Sequence, residues 1–207
     1  MTGRFISIRS AIFPERGLRT TAGFWLLLAA ALIVSTPAVT GAVLLAAALH
    51  ELGHLTLLLC FGVPVEGVQL GAFGAVIRAP GAVRLSYPRE LAVSLGGPAV
   101  NLCAAPLLSA LSARLRWEWG WLLAGANLLL GLYNLLPILP LDGARTLYLL
   151  TAWRFGPEAG RRTAILASQG AAAMLVLLGG YLTFTFGGTL FLLSALGLFF
   201  TALHASA

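Results

Sequence analysis

The sequence contains no lysine, a single aspartate and only three histidines. Charged residues of every kind make up 10% of its 207 positions, against 59% hydrophobic. That balance excludes an ordinary soluble domain, in which roughly a quarter of residues are charged. The formal charge of +6 comes from thirteen arginines. They lie in short clusters beside apolar runs rather than along a soluble basic face, which argues against a nucleic-acid partner. Cysteine is also scarce: Cys60 and Cys103 sit far apart, each inside an apolar run. Such spacing gives neither a disulfide framework nor a thiolate metal site, and small buried thiols are expected.

What the sequence has in abundance is apolar runs of the length a bilayer demands, about 20 residues for a helix crossing a ~30 Å core. Six spans are expected, at about 22–36, 39–61, 90–112, 119–139, 163–184 and 187–204, within a single domain over 1–207. The fold class is therefore an all-α polytopic membrane protein. Arg4, Arg9, Arg16 and Arg19 precede the first span, Arg78, Arg84 and Arg89 separate the second from the third, and Arg145, Arg154, Arg161 and Arg162 follow the fourth. Only Arg114 and Arg116 fall on the opposite side, so the positive-inside rule places both termini in the cytoplasm. Trp117, Trp119 and Trp121 cluster at the outer start of the fourth span, and Trp25, Tyr148 and Trp153 lie near the inner boundary, as an aromatic belt requires. The basic start, with an apolar run and Ala38 beyond it, has the form of a signal peptide. An uncleaved anchor is the reading adopted.

The stretch of about 63–88 breaks this pattern. Gly67, Gly71, Gly74 and Gly81 punctuate β-prone pieces, Ala75-Val76-Ile77 and the alternating Val83-Arg84-Leu85-Ser86-Tyr87, and predict a small membrane-associated β-hairpin. Phe5 to Arg9 reads as a further short strand or an interfacial turn at the same face.

Inside the second span runs His50-Glu51-Leu52-Gly53-His54. Histidines at i and i+4 share one helix face and can share one ion, and Glu51 stands beside them to take a proton from water activated by the metal. Chance is a weak explanation, because an ionisable side chain at mid-membrane costs ~2.5–3.5 kcal/mol on insertion scales. One metal site compensates for all three. Catalytic zinc wants three protein ligands and an open position, and Asp142 is the one aspartate available. It follows Pro137 and Pro140 and precedes Gly143, in backbone expected to break the helix and turn sharply. A helix cap is the alternative role for Asp142, and the two can coexist. Asn134, just before the broken segment, is a candidate for positioning substrate. Asn101, in Gly96-Gly97-Pro98-Ala99-Val100-Asn101, is open between an interhelical partner and the same substrate-positioning role. His204 is expected to be an interfacial or tail residue.

HELGH at 50–54, GGPAVN at 96–101 and NLLPILPLDG at 134–143 together resemble the site-2 protease family of intramembrane zinc metalloproteases, nearest its sporulation factor-processing branch. The resemblance implies zinc on His50, His54 and Asp142, catalysis by Glu51, substrate positioning by Asn134, and a membrane-associated hairpin around Leu70 to Gly74. It implies cleavage of a membrane-tethered protein, such as a pro-sigma or anti-sigma factor, in a bacterial cytoplasmic membrane, with regulatory membrane proteins as further partners. Two departures stand out. Ala144 replaces a glycine frequent after the Asp-Gly pair, and the sequence ends at Ala207 without the CBS or PDZ domains of related branches, so a compact core is expected. A membrane zinc transporter is an alternative, as is a catalytically silent chaperone on the same fold. The ionisable residues, however, gather at one depth rather than along a path, and the motif is intact.

Overall fold

The computed structural model describes residues 17–71, 74–80, 82, 85–186 and 189–204, without the side chains of 186, 189–194 and 204. Among the described residues seven helices and three short strands follow one another: β1 (Gly17–Thr20), α1 (Ala22–Val34), α2 (Pro37–Cys60), β2 (Gly67–Gly71), β3 (Gly74–Arg78), α3 (Tyr87–Leu115), α4 (Glu118–Asn134), α5 (Asp142–Phe155), α6 (Pro157–Phe186) and α7 (Thr189–His204). Local chemistry sets several of these limits. The Thr21 hydroxyl accepts from the Phe24 N–H at 3.3 Å and starts α1. Thr36 does the same for Val39 at 3.4 Å, with Pro37 in the first turn of α2, where its missing N–H is harmless. α3 runs through Pro98 and Pro106 and stops at Arg116, whose φ of 51° is left-handed.

Among the described residues α2, α3 and α6 are long and apolar enough to cross a membrane, and α1 is apolar but shorter. Six crossings would also need α1, α4 and α7, which have 13, 17 and 16 residues, fewer than the ~20 of a perpendicular span. The fourth apolar run is helical only to Asn134, five residues short of the expected boundary, because Pro137 and Pro140 interrupt it. The chain after it forms an additional helix, α5, rather than a connecting loop. Large apolar side chains face outward, Ile33 at 83% exposed and Leu177 at 75%, which suits contact with lipid tails. Cys60 and Cys103 share that outer surface, so the expectation of buried thiols does not hold; a membrane protein can turn apolar side chains outward as readily as inward.

α3 is the central element, packed against α2, α4 and α5, while α6 covers α5 and α7. The α2/α3 contact is backbone on backbone. A Cβ on Gly96 would lie 2.8 Å from the Gly53 carbonyl oxygen, so only glycine permits this approach.

The expected hairpin is present as β2 and β3, antiparallel with Gly67 opposite Arg78 and Gly71 opposite Gly74. Its extent is smaller than 63–88: Tyr87 opens α3, since Pro88 favours the first helical turn. β1 adds a third strand, parallel to β2 with Gly17 opposite Gly67, and leaves β3 at the sheet edge. The strand expected at Phe5 to Arg9 lies outside the described residues.

Candidate metal centre

α2 carries His50 and His54 one turn apart on the side facing α3. Their Nε2 atoms are 3.1 Å from each other. The Asp142 Oδ2 completes a triangle, 2.9 Å from His50 Nε2 and 3.2 Å from His54 Nε2. The far side of each ring decides what these nitrogens are. His54 Nδ1 is 2.7 Å from the Val93 carbonyl oxygen, which can only accept, so Nδ1 carries the proton. His50 Nδ1 is 2.6 Å from the Asn101 amide oxygen and is protonated by the same logic. With the proton on Nδ1, each ring in its neutral form presents an Nε2 lone pair toward the Asp142 carboxylate oxygen.

Three convergent lone pairs repel one another unless a cation stands between them. Ligands of a tetrahedral zinc-like ion at about 2.0–2.1 Å are roughly 3.3–3.4 Å apart, close to the spacing seen. The residues fit a metal ion, and no other group of three or more His, Cys, Asp or Glu among the described residues converges in this way.

Several elements hold the triangle in place. A Cβ on Gly97 would sit 2.6 Å from His50 Nε2, so α3 can lie beside both rings only because that residue is glycine. Asp142 is the first residue of α5, after Leu141 in the cap position; its carboxylate turns to the two histidines instead of capping the helix, and its charge suits a helix amino terminus. The broken segment before it is anchored rather than loose. Ile138 is fully buried against Ala172 and Ala202, the Leu139 N–H donates to Ser168 Oγ at 3.0 Å, and Thr201 Oγ1 donates to the Leu139 carbonyl at 3.3 Å. Ser94 Oγ donates to the Asp142 carbonyl at 3.2 Å. Gly143, expected to supply a sharp turn, lies inside α5; its value is the absence of a Cβ, which would collide with the carbonyls of Leu135 and Leu136.

The centre opens into a cavity of about 560 Å³ whose lining includes Glu51, Asn134 and the β3 residues Gly74 to Ile77. Glu51 and Asn134 thus share a space with the metal group, and the Asn134 Nδ2 donates to the Leu130 carbonyl at 3.0 Å. At its rim Arg145 pairs with Glu90 at 2.8 Å. Leu130 and Tyr133 also line a second, apolar groove of about 440 Å³ with Val43 and Leu129. Asn101 is different. It is fully buried, its oxygen on His50 and its Nδ2 donating to the Ala46 carbonyl at 3.0 Å and to Asn127 Oδ1 at 2.7 Å. An amide so enclosed and so fully engaged has nothing left for a substrate, and its place is behind His50. Sequence reasoning missed Asn127, Ser94 and Ser168. For Asn127 a signal existed, a second amide within an apolar run, of the same kind that drew attention to Asn101.

A His₂-carboxylate donor set with a glutamate in the same cavity, in a bundle where three of the described helices are long and apolar enough to cross a membrane, is the arrangement that a membrane-embedded metallopeptidase requires. Residues 116–178 match the family described as Peptidase family M50. The chain is 36% identical over 159 residues to Rip3 of Mycobacterium tuberculosis, covering 72% of this chain and 40% of Rip3. It is 31% identical over 129 residues to stage IV sporulation protein FB of Bacillus subtilis, covering 61% of this chain and 44% of that protein. The chain therefore spans less than half the length of either relative. Among solved structures, the site-2 protease from Methanocaldococcus jannaschii superposes with a TM-score of 0.67 at 23% identity, covering 92% of this chain and 90% of that one. At that identity the likeness speaks for the fold. Over residues 116–178 the chain thus carries the sequence likeness of peptidase family M50, and over nearly its whole length the fold of a site-2 protease.

Proposed function

We propose that the chain is an intramembrane zinc endopeptidase that hydrolyses a peptide bond in or near a transmembrane segment of a membrane-tethered protein. The observation that carries this reading is the triangle of His50, His54 and Asp142 donor atoms, all within 4.8 Å of one another, opening on a cavity that also holds Glu51. Rip3 and MJ0392 of Methanocaldococcus jannaschii are both named zinc metalloproteases, which supports zinc as the metal. Zinc held by these three residues supplies Lewis-acid chemistry, polarising a carbonyl and making water acidic enough to attack near neutral pH.

The chain's own residues do the rest. The Glu51 carboxylate accepts a proton from the attacking water as its oxygen joins the carbonyl carbon, and returns it to the amide nitrogen as the C–N bond breaks. The products are a carboxylate and an amine. Asn134, which lines the same cavity, holds the substrate backbone or the developing oxyanion with its amide. A helical substrate hides its carbonyls within its own ladder and must become extended before attack. Among the described strands β3 stands at one edge of the sheet and lies beside Glu51 in the cavity wall, where an extended segment added as a further strand would reach the base. The apolar groove that meets the cavity at Leu130 and Tyr133 offers such a segment a path from the bilayer.

The reading carries further proposals: a single domain with six crossings and cytoplasmic termini in a bacterial cytoplasmic membrane, regulatory membrane proteins as partners, and a pro-sigma or anti-sigma factor as substrate. The experiment is co-expression with a tagged membrane-tethered candidate substrate. Glu51→Gln keeps a hydrogen-bonding side chain but is no base, and is expected to abolish cleavage while the protein still inserts. Undiminished cleavage by that variant would overturn the mechanism.

A further inference from the structure

We propose that Asn127 is a positioning residue for the metal centre: by holding the Asn101 amide in one orientation, it keeps the His50 proton on Nδ1 and leaves Nε2 free as a donor. This rests on the reading of His50, His54 and Asp142 as metal ligands. The two histidines are supported differently. Behind His54 stands the Val93 carbonyl, which offers an acceptor and nothing else. Behind His50 stands an amide, whose oxygen and NH₂ are nearly equal in shape and exchange places by a half turn. If the NH₂ faced Nδ1, that nitrogen would become the acceptor, the ring proton would move to Nε2, and the donor toward the metal would be lost.

The structure removes this degeneracy step by step. The Asn101 Nδ2 has two acceptors, the Ala46 carbonyl at 3.0 Å and Asn127 Oδ1 at 2.7 Å. The Asn127 amide is itself fixed, because its Nδ2 donates to the Leu123 carbonyl at 2.8 Å. Reversing Asn101 would set oxygen against oxygen at both contacts. Asn127 is fully buried in α4, and α4 packs on both α2 and α3. The chain Leu123 carbonyl, Asn127, Asn101, His50 therefore ties three helices to one tautomer. A fully buried amide in an apolar bundle is unfavourable without partners, and the Asn127 bonds to Asn101 and Leu123 both serve this chain.

The test is zinc affinity, measured on the full chain in detergent by competition with a chromophoric chelator. The wild type should bind one zinc ion and His54→Ala should lose it; if the wild type binds none, the ligand reading itself fails, whatever Asn127 does. Given binding, Asn127→Leu should weaken affinity roughly tenfold, the lower end of the range for outer partners of a metal-bound histidine. Asn127→Ala leaves space instead of crowding α3 and carries the same expectation should the leucine variant not fold. Asn127→Asp, neutral when buried, keeps an oxygen toward Asn101 and an O–H toward Leu123, and should restore affinity to within about threefold of wild type. A role in packing alone would lower thermal stability and leave the affinity of the folded protein unchanged. Wild-type affinity in a folded leucine or alanine variant would overturn the proposal, and so would an aspartate variant as weak as the leucine one.

Discussion

A single methyl group at position 97 would test the metal centre closely. A Cβ built there collides first with His54 Nε2 and lies 2.6 Å from His50 Nε2 and 2.7 Å from His50 Cε1, where ordinary contact begins at 3.4 Å. Either the two imidazoles or α3 must yield by at least about 0.8 Å, since a close-packed interior has no slack of that size. Metal–ligand distances tolerate only about ±0.2 Å, so the displacement is several times what coordination absorbs. Loss of an outer hydrogen-bond partner alone weakens metal binding about 10–100-fold. Moving a ligand should do at least as much, so Gly97→Ala is expected to weaken zinc binding about 100-fold or more, roughly 2.7 kcal/mol. Overpacking should lower stability by a further 1–3 kcal/mol or so. Affinity is read by chelator competition on the purified protein, with far-ultraviolet dichroism reporting helix content. Gly125→Ala in α4 is the control, because its Cβ would meet nothing within 4 Å; it should be neutral or gain about 0.5–1 kcal/mol from helix propensity. A folded Gly97→Ala protein that binds zinc as tightly as wild type would show that His50 does not stand where the ligand must be.

Ser168→Ala removes the acceptor of the Leu139 N–H and should cost about 1–3 kcal/mol, the penalty of an orphaned buried donor, together with a loss of cleavage because that segment leads directly to Asp142; thermal unfolding and a cleavage assay report the two effects. Glu90→Gln breaks the 2.8 Å pair with the half-exposed Arg145 and should change stability by no more than about 1 kcal/mol, with cleavage retained, so a collapse of either would mean that the pair shapes the cavity. Stripping the metal with a chelator should abolish cleavage and zinc should restore it. Added zinc should also raise the unfolding temperature, since a ligand at 100 times its Kd stabilises the folded state by about 2.7 kcal/mol; no zinc-dependent shift would argue against a site formed on folding.

The sequence was most readable where it was most out of character for a membrane. Ionisable residues are rare in apolar runs, so His50, Glu51, His54 and Asp142 could be picked out on cost alone, and the structure gathers them around one cavity. Helix positions followed from apolar length, and the β2–β3 hairpin from glycine spacing. Two structural features were hidden for a physical reason. β1 pairs with β2 from almost fifty residues away, and a four-residue strand has too little periodicity to announce itself. α5 was half hidden: a helix cap at Asp142 implied a helix beginning there, but Asp142 to Phe155 combines polar and apolar residues without the length of a span.

The glycines and asparagines show where composition stops being informative. Gly53, Gly96 and Gly97 could be read as small residues suited to helix contact, but which of them faces a histidine depends on the crossing of α2 and α3. Only the fold reveals that Gly97 clears the imidazoles while Gly53 and Gly96 bring the backbones together. Asn101 is the sharper case. An amide in an apolar run must find a partner, and from sequence a substrate and a neighbouring helix are equal candidates. The structure separates them through exposure: a substrate-binding amide must reach the cavity, as Asn134 does, whereas Asn101 is fully buried. A polar side chain in such a protein is thus recognised by its rarity, but its role is assigned by which side of the ligands it occupies.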